Sequence, residues 1–253
     1  MTDPELSPIQ SGEQCPTAPA TPRDPCWGYH DVLMLAGLAV PLLLVAAGSV
    51  RGVEALVTGK WNPALAAIAV QFGFWGLWFG AVYGVLRLEY DQPFWRSLGF
   101  VRPPRGFSYA ALMGAITALL SVLLSALLRP PDIKTPLDEL MQGRLALTLI
   151  VIFGVTLAPL CEELAFRGLL LPLLARSTGA AAGVLLTAVP FTLLHGSEYA
   201  WSWQRLAVIF FAGAAFGWLR LKTGSTAAST VMHATYNLIY FVGFFYQKAV
   251  GIH

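Results

Sequence analysis

Three short stretches carry residue types and spacings that could do chemistry. In "CEELAFRG" two adjacent carboxylates, Glu162 and Glu163, are followed by Arg167. In "FTLLHG" Phe191 precedes His195, and in "HATYN" His233 precedes Asn237. All of them interrupt apolar runs, where a charge is expensive and by default marks function. On a helix, residues four apart share a face, while neighbours point about 100° apart. Glu163 can therefore pair with Arg167, which leaves Glu162 on another face with no local partner. An unpaired carboxylate in a low dielectric is a candidate general base. Pro159, just upstream, removes a backbone hydrogen bond and is expected to open the helix beside Glu162.

These residues need elements that hold them at bilayer depth, and the composition supplies such elements. The chain has 253 residues, 56% hydrophobic and only 12% charged. A soluble domain carries about 25% charged residues, so this chain has too little charge to cover a water-facing surface. The expected fold class is all-α, a polytopic transmembrane helix bundle, and the expected location is an integral, multi-pass place in the membrane. A formal net charge of +2 offers nothing to nucleic acid. The cysteines, Cys15, Cys26 and Cys161, are odd in number and lack metal-ligand spacing, so neither a disulfide framework nor a zinc knuckle is implied. Cys15 and Cys26 are read as free thiols.

Residues 1–29 hold six prolines and acids at Asp3, Glu5, Glu13 and Asp24 against the single Arg23. Such a segment buries too little apolar surface to offset its ordering entropy, and it is expected to be a disordered tail. It lacks the basic start and apolar core of a cleavable signal. The transmembrane domain is expected over 30–250. A spanning helix needs ~20 apolar residues, which places spans at 32–50, 61–86, 106–128, 145–161, 177–194, 206–219 and 223–247. The fourth runs on to Arg176, and if it is two helices the total becomes eight rather than seven. Thr135 and Pro136 are expected to start a short helix that lays Leu137, Leu140 and Met141 on the membrane. Basic residues divide almost evenly between alternate loops, so orientation and oligomeric state are not readable.

Arm lengths bring the polar residues together. From Glu162 to a turn near residues 177–179, and from that turn back to His195, are each about 16 residues, or ~24 Å of helix. An antiparallel hairpin then sets Glu162 and His195 at one depth. His233 and Asn237, one turn apart on the last span, reach roughly 12 and 18 Å into it. Taken singly, an intramembrane His or Asn is often packing glue. Together, groups from three helices at one depth are costly unless they share a purpose.

These motifs resemble those of the CAAX-processing and bacteriocin-processing (CPBP or Abi) intramembrane protease family: "EELAFRG" matches EExxxR, "FTLLH" matches FxxxH and "HATYN" matches HxxxN. The resemblance covers about residues 145–245. It implies hydrolysis of a peptide bond in a membrane cavity, with a membrane-associated peptide or protein as substrate and the lipid bilayer as partner. By resemblance, Glu162 activates water, His195 and His233 position that water, donate protons or bind a metal, and Asn237 stabilises an oxyanion. Glu163, Arg167 and Phe191 support them. Glu162, His195 and His233 are also a set that can hold zinc with a position left for water. The HExxH signature is absent, however, and because Glu163 has Arg167 to pair with, chemistry without a cofactor is preferred. A non-catalytic scaffold or a proton-coupled transporter would use the same buried polar groups, although no half-repeat supports a transporter. Ser229 lacks a G-x-S context, which disfavours a serine nucleophile. Trp201 and Trp203 either flank the cavity mouth or belong to an interfacial belt.

Overall fold

The computed structural model describes residues 25–57 and 60–250. Every regular element among them is helical. Two long helices form the first hairpin, α1 (Tyr29–Leu56) and α2 (Pro63–Gly84), and a π-helical end (Val85–Glu89) follows α2. A short α3 (Phe94–Ser97) leads to α4 (Gly106–Leu128) and a short α5 (Pro136–Leu140). Then come α6 (Arg144–Val155), α7 (Leu157–Glu163), a π turn (Leu164–Leu170) and α8 (Leu171–Thr178), stacked into one apolar path of 35 residues. The chain returns as α9 (Ala180–Leu194) and finishes with α10 (Trp203–Thr223) and α11 (Thr226–Val250).

Five helices among the described residues are long and apolar enough to cross a membrane, against the seven or eight expected. The fourth span proves to be a single bent path. The fifth, α9, is apolar but only 15 residues long, and α11 has the length while carrying Thr, Ser, His and Asn along it. The arrangement is that of a multi-pass membrane protein.

Packing among the described residues centres on two large cores and a small third cluster. In one, α4, the π turn, α9, α10 and α11 meet around Phe166, Phe191, Phe216 and Met232. In the other, α1, α2 and α3 close on the π turn and α8 around Trp27, Trp78, Leu98 and Leu164. With lipid on one side and no hydrophobic drive between apolar helices, close approach at small residues carries the association. Gly114 shows it: a Cβ there would collide with the Met232 carbonyl and stand 2.9 Å from the Thr235 Cβ.

The bend in the fourth span is local chemistry. α6 ends at Thr156, whose backbone (φ −122°, ψ −80°) leaves the helical region. Pro159 has no N–H for the Val155 carbonyl, so the opening falls upstream of the proline rather than beside Glu162. The last carbonyls of α6 then need other donors. Asn237 of α11 gives its Nδ2–H to the Gly154 carbonyl at 2.8 Å.

Two further expectations change. Residues 1–24 of the expected tail lie outside the described residues, as does Cys15. Its described end is packed, with Trp27 only 2% exposed. The Thr135 hydroxyl caps α5 as its sequence suggests, accepting from the Asp138 N–H at 3.2 Å. Leu137, Leu140 and Met141, however, pack on Ala64, Ala146 and Ile150 of the bundle, not on lipid alone.

Gly114→Leu should lower the thermal midpoint in detergent, with an overpacking cost of roughly 1–3 kcal/mol. Gly37→Ala, inside α1 where a Cβ meets nothing within 4 Å, should hold the midpoint or raise it slightly.

Candidate functional site

Arg167 is the most constrained group of the site. Its side chain and that of Glu163 are both 0% exposed, with Nη1 to Oε1 at 3.0 Å. The second Arg167 amino group donates to the Gly213 carbonyl at 2.7 Å. The guanidinium also faces the rings of Phe191, Phe216 and Phe166, at 4.3, 5.5 and 5.8 Å. Such contacts gain strength when desolvated. Gly213 is part of this cage, because a Cβ there would stand 2.9 Å from the Phe191 ring and 3.2 Å from the guanidinium.

The same Glu163 oxygen accepts from His233 Nδ1 at 3.0 Å. Arg167 therefore holds Glu163, and Glu163 holds His233. The other Glu163 oxygen has no hydrogen-bond partner by geometry. Ser229 lies close enough to interact with the carboxyl, but its hydroxyl donates to the Thr226 carbonyl at 3.0 Å. The His233 ring stacks on Phe216 at 4.5 Å and 24°. His195 closes α9, with its Nδ1 at 2.8 Å from the Phe191 carbonyl, its ring beside Phe191 at 4.7 Å.

Hydrogen-bond logic assigns the tautomers. A carbonyl only accepts, so His195 Nδ1 carries a hydrogen. The Arg167-paired carboxylate likewise accepts from His233 Nδ1. Both Nε2 atoms then turn outward, and they turn to one place: Glu162 Oε2 lies 4.0 Å from His195 Nε2 and 3.9 Å from His233 Nε2. Glu162 and His195 are each 20% exposed and His233 5%, so the cluster is sheltered but open to water on one side.

Glu162, His195 and His233 are thus brought together, with Glu163, Arg167 and Phe191 directly behind them. Asn237 is placed differently, with one amide N–H spent on Gly154. Trp201 and Trp203 are 61% and 64% exposed, as an interfacial belt would be, although the Trp201 ring also lies over Gly196 beside His195.

Glu198, three residues past His195, is a site residue that motif spacing misses. It stands in a turn where the Tyr199 N–H reaches the His195 carbonyl at 3.3 Å. Burial among neighbours raises its pKa above 4.5, Glu162 adds to the rise, and His195 opposes it. Its side chain is nonetheless exposed to water. Its i+3 offset from His195 in "HGSE" is the only signal the sequence offers.

An all-helical membrane bundle with an acid–histidine cluster inside it defines the class: a multi-pass membrane protein with a buried polar centre. Residues 144–239, which hold all seven site residues named from the motifs, match the model of the family described as Type II CAAX prenyl endopeptidase Rce1-like. Over that segment the chain is similar to that family, a match that supports the CPBP/CAAX protease reading of the motifs. No curated protein and no solved structure matches the chain.

Arg167→Met should leave Glu163 as an unpaired buried carboxylate and cost about 3–5 kcal/mol of stability. Adding Glu163→Gln should recover much of that loss, a coupling that thermal or denaturant unfolding of the single and double variants would measure. The raised pKa of Glu198 makes its protonated form the one the fold prefers. Stability should therefore fall as pH climbs from 4.5 through that raised value. Glu198→Gln should flatten this limb when thermal midpoints are plotted against pH.

Proposed function

We propose that the chain is an intramembrane endopeptidase in which Glu162 activates the attacking water. The observation that carries this is the convergence of three acceptors, Glu162 Oε2 and the two Nε2 atoms, at 3.9 and 4.0 Å. Those gaps are too long for direct hydrogen bonds. Gaps of that size suit a bridging water that donates one O–H to Glu162 Oε2 and the other to one of the ring nitrogens.

The steps follow from the groups present. Water attacks the scissile carbonyl carbon as Glu162 takes one of its protons. The carbonyl π electrons move to oxygen, and a tetrahedral oxyanion forms. The second N–H of Asn237, the one not engaged by Gly154, is the amide donor for that oxyanion. His195 and His233 hold the water and stabilise the developing charge. Glu162 then returns its proton to the leaving nitrogen, the C–N bond breaks, and a carboxylic acid and an amine are released. Behind these atoms Glu163 fixes the His233 tautomer, in the way that carboxylates orient histidines in other sites.

Zinc on Glu162, His195 and His233 fits less well. A tetrahedral ion with ligands at about 2.1 Å needs them about 3.4 Å apart. Among the described residues no group of three such side chains stands at ligand spacing. The substrate is a membrane-associated peptide or protein, for which the family description suggests a prenylated C-terminus.

Glu162→Gln should reduce cleavage of a peptide substrate in detergent by at least about 100-fold with little change in thermal midpoint, since this side chain is partly exposed. Full activity in that variant overturns the assignment. Wild-type activity should survive a chelator. Loss on chelation with recovery on added zinc would move the chemistry to a metal, with Glu163 as the candidate base.

A further inference from the structure

Residues 25–28 lie ahead of the first helix, yet they are tied into the bundle at four points. The Trp27 indole N–H donates to the Leu169 carbonyl at 3.0 Å, across 142 positions of sequence. Arg176 of α8 donates to the Pro25 carbonyl at 2.7 Å and to the Trp27 carbonyl at 3.4 Å. At the entry to α1 the Asp31 carboxylate accepts from the Gly28 N–H at 2.8 Å and from the Tyr90 hydroxyl at 2.7 Å. Donation to Asp31, with burial second, pushes the Tyr90 pKa up to about 12, so the phenol remains a donor throughout the working range.

The target of the indole gives the strap its meaning. Leu169 belongs to the π turn Leu164–Leu170, two residues past Arg167. A π turn is an uncommon, single-turn widening of a helix, found mostly at functional sites. It sets the direction in which Arg167 leaves the backbone, and through Glu163 the placement of the His233 ring. The Trp27 ring packs in one cluster with Leu164 and Leu169, the start and near-end of that turn. The indole thus braces the turn from outside by both contact and hydrogen bond.

We propose that Trp27 is a positioning residue for the site. Its indole N–H holds the π turn in the geometry that keeps Arg167 and Glu163 on His233. The activity readout rests on the hydrolase assignment above, whereas the geometric readout does not.

The test uses the full chain in detergent and compares wild type with Trp27→Phe, which keeps a ring and removes the donor, and with Arg176→Gln, which loosens the strap from its other end. Thermal midpoint, kcat and KM for peptide cleavage, and the imidazole ¹⁵N signals of His233, assigned against His233→Gln, are measured for each. Trp27→Phe should lower kcat about tenfold, as lost outer-layer contacts do. KM should be nearly unchanged, the midpoint should fall modestly for the lost indole contacts and hydrogen bond, and the His233 Nδ1–H signal should move. Arg176→Gln should shift kcat in the same direction by less, and it carries the test if Trp27→Phe does not fold. A lowered midpoint with unchanged kcat would make the strap a mere anchor and overturn the proposal. If wild type cleaves nothing, the hydrolase assignment falls, and an unmoved His233 signal in the variants would then overturn the positioning role independently.

Discussion

A guanidinium with no exposure to water is the constraint on which the rest of the site depends. Arginine cannot shed its charge, and taking it out of water costs several kcal/mol after relaxation. Each neighbour of Arg167 offsets part of that cost: Glu163 by charge, the Gly213 carbonyl by a hydrogen bond, and three phenylalanines by their ring faces. These partners come from α7, the π turn, α9 and α10, so satisfying one charge fixes the relative positions of four elements. His233, on a fifth, is recruited through the Glu163 oxygen that Arg167 already holds. The catalytic proposal needs a rigid frame behind Glu162, and the buried pair supplies it.

Adjacent carboxylates divide the labour because their surroundings differ. Glu163 is dry and neutralised, which fits it to hold and unfits it to exchange protons with a substrate. Glu162 is one residue along, about 100° round the helix, partly wet, and faced by two ring nitrogens.

What the sequence made legible follows from what is local or countable. The spacing of Glu163 and Arg167 is a one-turn relation, and equal arm lengths either side of a turn sufficed to bring Glu162 and His195 to one depth. Relations between distant helices were opaque. Nothing in "LAFRGLL" distinguishes a π turn from an α turn, since both satisfy the same apolar pattern. The bond from Glu163 to His233 joins residues 70 apart, and that from Asn237 to Gly154 answers a break whose location follows from a proline five residues further on. An average over a proline-rich segment also hides a single tryptophan, the buried Trp27 of its described end. The count of spans suffered likewise, because α9 is shorter than a span and α11 more polar than one.

The shortness of α9 has a consequence for the lipid. Its 15 residues reach about 22 Å, whereas the hydrocarbon layer is ~30 Å thick. A bilayer meeting such a helix thins around it at a cost of fractions of a kcal/mol per ångström. α9 gives way to His195 at its end, so any thinning it imposes on the layer would be thinning beside the acid–histidine cluster rather than remote from it.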